Sequence, residues 1–121
     1  MEIPMQYLLA IYEDESISSK RTPEEWGPFM AKYNAFTQSI IKSGHFKAGD
    51  GLQNTQSATS VRVRDGKSEL TDGPFAETRE ALGGYYLIEA ADLDEATAIA
   101  ARIPTAETGT IEVRPVMANP G

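Results

Sequence analysis

Asp72-Gly73-Pro74 dictates where regular structure has to stop. Pro74 has no N–H and a fixed φ, and it keeps the residue before it out of the α region. Gly73 admits backbone angles closed to other residues. A strand is therefore predicted to end at Asp72 and give way to a loop. Residues 71–80 around this stop also hold Phe75 and three carboxylates, Asp72, Glu77 and Glu80. Phe75 is expected to bury and pin the loop, with the carboxylates near its mouth. If residues 76–81 form a helical turn, Glu77 and Glu80 share a face. Carboxylates held close raise one another's pKa, which is one route to an acid and a base from like residues. An aspartate before Gly-Pro equally serves as a turn or cap group. Glu77, Arg79 and Glu80 equally form a solvated face.

The strand that ends at Asp72 is the second arm of a hairpin. Asp65-Gly66 is a two-residue turn signal. Pairing outward from it sets Arg64 against Lys67, Val63 against Ser68, Arg62 against Glu69 and Val61 against Leu70. The hairpin thus delivers the loop to the end of a sheet, where functional groups are common.

Elsewhere the apolar periodicity alternates between strand and helix. Residues 5–13 read as a strand, with Met5, Tyr7, Leu9 and Ile11 on one face and Leu8, Ala10 and Tyr12 on the other. Residues 14–21 are polar and read as loop. Thr22 then suits a helix N-cap, Pro23 the first helical position, and Glu25 a capping box. Trp26, Met30, Tyr33, Phe36 or Thr37, and Ile40 follow at helical spacing, a stripe expected to be core, and Gly44 is placed to stop the helix. Pro28 predicts a kink or a separate first turn. Residues 45–52 are weakly strand-like, and Gly49 and Gly51 predict a bend or a close backbone approach. Residues 54–57 read as loop and 83–90 as a strand. Asp92 and Glu95 open a second helix whose buried stripe is predicted as Leu93, Ala96, Ala100 and Ile103. Residues 105–109 read as loop, 110–117 as a strand weakened at Pro115, and 118–121 as a loose tail.

The order strand, helix, strand, hairpin, strand, helix, strand is that of an α+β, ferredoxin-like sandwich with an extra β-hairpin. Two helices cover only one face of a sheet, yet residues 5–13 and 85–90 are apolar on both. A second copy is expected to cover the open face, giving a homodimer.

Composition narrows function by exclusion. The 121 residues fit one domain over 1–121 with a real core. No apolar run approaches 18 residues and no secretory signal is visible, so neither a membrane span nor export is expected. Without cysteine there are no disulfides, thiolate nucleophiles or Cys-based zinc sites, in keeping with a cytoplasmic setting. One histidine, His45, excludes multi-His metal sets, and no metal or cofactor is expected, although a carboxylate-only metal stays open. His45 follows a helix end, where it either meets the terminal carbonyls or serves a site. A net charge of −7 argues against nucleic acid.

Asp72-Gly73-Pro74-Phe75-Ala76-Glu77-Thr78-Arg79-Glu80 resembles the signature of the bacterial DGPF proteins of the YCII-related family, with Arg79 where lysine is usual. The likeness extends to Gly49-Asp50-Gly51-Leu52, Leu82-Gly83-Gly84-Tyr85-Tyr86-Leu87-Ile88 and Glu112-Val113-Arg114-Pro115. The resemblance implies a dimeric α+β barrel. It implies a small-molecule enzyme, similar to muconolactone-isomerase-like enzymes and a lactone dehalogenase, acting by proton transfer or elimination on a small acidic lactone-like metabolite. In that reading Asp72 is the acid/base, Glu77 or Glu80 tunes it, and Arg114 holds an anionic group; Arg114 equally pairs with Glu112. Some members use a His–Asp pair, but the first helix here offers Trp26, Met30, Tyr33 and Asn34 and no histidine. The alternative implied is a non-catalytic ligand- or protein-binding module, similar to accessory partners of alternative sigma factors.

Overall fold

Tyr7, Leu9 and Ile11 recur at every second position of a central strand, so their side chains leave the same face of the sheet and set the core. The computed structural model describes residues 5–118. That central strand is β1 (Met5–Glu13). It lies between β5 (Ala81–Ala90) and β6 (Thr110–Pro115), and β2 (Phe46–Gly51) adds outside β5. The order β2-β5-β1-β6 is antiparallel throughout, an α+β arrangement consistent with a ferredoxin-like fold. Helices α2 (Pro23–Lys42) and α3 (Leu93–Ala100) pack Phe36, Ile40, Ala96 and Ile99 onto the face that carries Leu9 and Ile88. A third, four-residue helix, α1 (Glu15–Ser18), forms in the segment expected as loop, with Asp14 accepting from the Ser16 N–H as its cap.

The α2 termini follow from local chemistry. Thr22 accepts from the Glu25 N–H while Glu25 accepts from the Thr22 N–H, so the capping box is complete. At the other end Gly44 takes φ 84°. The His45 N–H reaches Ile40 O and the Gly44 N–H reaches Ile41 O, which satisfies carbonyls the helix would leave open. Pro28 does not split off a first turn; α2 runs unbroken through it.

The hairpin forms with β3 (Thr59–Arg64) and β4 (Lys67–Asp72) in the expected register, from Arg64 opposite Lys67 to Val61 opposite Leu70. It is a separate two-stranded sheet. Its second strand ends at Asp72, and Gly73 takes φ 93°.

Several expectations need correction. Residues 76–80 form no helical turn, so Glu77 and Glu80 do not share a helix face. Thr78 instead donates to the Glu80 carbonyl, a local bond that competes with helix formation. Phe75 does not bury to pin the loop: it is 80% exposed. Leu93 sits at the first turn of α3 and is exposed, while Ile99 takes the buried position. Strand β6 stops at Pro115. The tail expected at 118–121 falls, from residue 119 on, outside the described residues.

Candidate functional site

Beneath the N-terminal half of α2 the sheet lacks side chains. Gly51 pairs directly with Gly84 across β2 and β5, and Gly49 pairs with Tyr86. A Cβ on Gly49 would stand 2.6 Å from the Tyr86 ring, so that position is filled by its neighbour. A Cβ on Gly51 would meet nothing within 4 Å. The missing side chains leave a cavity of about 470 Å³ between sheet and helix. Trp26, Phe29 and Met30 wall it from above. The stripe expected to be core is therefore divided: Phe36 and Ile40 are buried, whereas Trp26 and Met30 are exposed at the cavity.

Polar groups converge on this space in satisfied pairs. Arg21 donates to both oxygens of Glu13, at 2.9 and 2.6 Å, and the two side chains are only 10% and 12% exposed. Thr108 also donates to Glu13. The Arg21 guanidinium lies 3.9 Å from the Phe29 ring centroid and 5.4 Å from that of Trp26. Burial alone would raise the Glu13 carboxyl. Hydrogen bonds from Arg21 and Thr108, with the Arg21 charge, outweigh it and hold Glu13 below the usual carboxylate range. Glu15 accepts from the Thr55 N–H and hydroxyl at 2.8 and 2.6 Å; the hydrogen bond from the Tyr85 hydroxyl to Asp50, at 2.8 Å, lies on the other sheet face.

Two hydroxyl pairs stand deeper. Tyr33 meets Thr105 at 2.5 Å and Thr37 meets Tyr86 at 2.6 Å. Burial pushes both tyrosines above the ordinary phenol pKa, so each stays a neutral O–H at physiological pH. Either member of each pair can be the donor, and all four residues line the cavity. The site thus offers apolar area, paired hydroxyls and one cation already neutralised.

The residues singled out in the sequence stand elsewhere. Asp72 is exposed at the base of the hairpin, and it and the loop residues Gly73, Pro74 and Phe75 do not line this cavity. Gly73 ties the base, donating to Ala58 O and accepting from the Ser60 hydroxyl. Glu77 is exposed, and Glu80 accepts from the Thr110 hydroxyl at 2.7 Å. Arg114 pairs with both oxygens of Glu112 on the opposite sheet face, at 2.8 and 2.9 Å. His45 sits between Ser43 at 2.6 Å and Glu95 at 3.0 Å, beside a smaller pocket of about 270 Å³. It joins the end of α2 to the start of α3. Among the described residues no group of three or more His, Asp or Glu is arranged to hold a metal, and no helix is long and apolar enough to cross a membrane.

Sequence reasoning missed Arg21, Glu13 and the hydroxyl pairs. Their contacts span loops and elements with no fixed spacing. The signal within reach was the glycine set in β2 and β5 facing an aromatic helix half: strand positions without side chains beneath large ones leave a gap.

Residues 5–119 match the YCII-related domain. The chain is also 38% identical to an uncharacterised protein of Rhizobium meliloti (strain 1021) over 114 residues, which covers 93% of this chain and 92% of that relative. With its antiparallel α+β architecture and a match over nearly its whole length, this chain belongs to the YCII-related domain family.

Proposed function

We propose that this chain is a ligand-binding module whose cavity takes a small, uncharged, mainly apolar molecule carrying a hydrogen-bond acceptor. The observation that carries the reading is Arg21. The cation lining the cavity is held bidentately by Glu13, so it has no charge to spare for an anion. Glu15 at the lining adds further negative charge. A small acidic ligand, expected from the sequence, is disfavoured there. A neutral lactone or ketone keeps a carbonyl that a hydroxyl of these pairs can serve, and the volume suits a small organic molecule. Glu13 is engaged by Arg21 and held below the usual carboxylate range, so it is not a base poised near neutrality. Proton transfer by Asp72 draws no support from this geometry. The signature at residues 72–80 leads us to place the chain among the DGPF proteins. Accessory partnership with an alternative sigma factor would draw on the acidic exterior alone.

Thermal unfolding against a panel of neutral lactones and aryl ketones, with matched carboxylic acids, tests the reading. Neutral compounds should raise the midpoint, and Gly51→Leu, which fills the open space at the cavity floor, should abolish the shift. Stabilisation by the acids alone, or an undiminished shift in Gly51→Leu, would overturn it.

A different surface favours self-association. Leu8, Tyr12 and Leu87 lie on the sheet face that carries no helix, around a buried Ala10. We read that face as the contact between two copies of a homodimer.

A further inference from the structure

Among the described residues the hairpin of β3 and β4 pairs only with itself, and no helix or other strand packs extensively on it. Its register sorts its side chains cleanly. Val61, Val63 and Leu70 leave one face. Arg62, Glu69, Arg64 and Lys67 leave the other. The apolar face is uncovered: Val61, Val63 and Leu70 are 60%, 59% and 70% exposed. Phe75, three residues past the end of β4, is also 80% exposed. A lone two-stranded hairpin is at best marginal in water, and a projecting apolar face marks a contact surface.

We infer that this hairpin is an arm whose apolar face docks on a second copy of this chain, each copy clasping the other. Three observations select a copy of the chain as occupant. The arm tip, residues 62–67, holds Arg62, Arg64 and Lys67 against Asp65, and it is a cationic projection from a chain of net charge −7. An acidic body of its own kind attracts it. The chain also carries a second apolar surface without a helix on it, the outer sheet face of the half-buried Leu8, Tyr12 and Leu87. A two-fold pair covers both surfaces in one closed contact, whereas an unrelated partner on the arm leaves the sheet face open. The inference rests on the homodimer reading and adds to it that the arm, and not the sheet face alone, holds the pair together.

Sedimentation equilibrium on the full chain separates the two. Three proteins are compared: wild type, the arm variant Val61→Ser with Val63→Ser and Leu70→Ser, and the sheet variant Leu87→Lys. The arm variant should weaken the dimer about tenfold or more while thermal unfolding shows that its body still folds. An arm variant that dimerises as tightly as wild type, beside a dissociated Leu87→Lys, would overturn the arm and leave the sheet contact standing. Dissociation of the arm variant alone would keep the arm and remove the sheet contact. A wild type that stays monomeric at tens of micromolar would sink both. A second readout uses the absence of cysteine: Val63→Cys introduces the sole thiol. Its maleimide labelling should be slow in the dimer and fast once Leu87→Lys or dilution releases the monomer. Equal rates in dimer and monomer would overturn the docking.

Discussion

The two halves of α2 obey one helical period and do opposite work. In the C-terminal half, Phe36 and Ile40 meet Tyr86 and Ile88, and the contact is closed. In the N-terminal half, Trp26, Phe29 and Met30 face the paired glycines of β2 and β5 and meet a void. The period is the same; what differs is the partner surface. An amphipathic stripe records which way a helix faces, and the strand opposite decides whether that face becomes core or cavity.

This contrast is open to direct attack, beginning with its strongest part. Ile40 is 0% exposed, so Ile40→Ala should cost about 3–4 kcal/mol in chemical denaturation. A loss below 1 kcal/mol would mean that the C-terminal half is less closed than described. Next comes Arg21→Ala, which strands the Glu13 carboxylate and should cost about 2–3 kcal/mol. The same pair predicts a pH dependence. Glu13 has a lowered pKa in the folded chain, so the unfolded chain binds its proton more readily. Its contribution is present above the ordinary carboxylate value of about 4.3 and is lost as pH falls through the lowered folded value. Acid unfolding of Glu13→Gln should lack that component, and an unchanged acid limb would contradict the ion pair. Smaller still is Met30→Ala at the cavity wall. Stability should move by no more than about 0.5 kcal/mol while ligand stabilisation falls. Asp72→Ala supplies the baseline: an exposed side chain off the cavity should leave both stability, within about 0.5 kcal/mol, and ligand response unchanged.

Features encoded within a few residues were legible. The β1 limits, the Asp65-Gly66 register, the Thr22–Glu25 box and the Gly44 stop depend on alternation, turn angles and caps that neighbours determine alone. The stop at Asp72 was legible for the same reason. The candidate site was not, because it is a relation between distant segments. Arg21 finds Glu13 across α1, Tyr33 finds Thr105 across most of the chain, and Gly51 finds Gly84 through strand pairing. Residues 72–80 drew attention because turn chemistry and charge are dense there, yet local density says nothing of enclosure. Phe75 shows the limit plainly: an aromatic beside a turn is expected to bury, and here it stays exposed.

Trp26 gives this molecule a built-in optical probe. It is the chain's one tryptophan, it stands on the cavity wall, and the Arg21 guanidinium and Phe29 ring flank it at 5.4 and 5.8 Å. Its emission therefore originates from a single place, the surface a bound molecule would cover. A shift to shorter wavelength on titration would report water leaving that surface, and the acrylamide quenching rate would report how far the entrance has closed. Occupancy of the cavity can thus be followed in the unlabelled, unmodified protein, whatever molecule fills it.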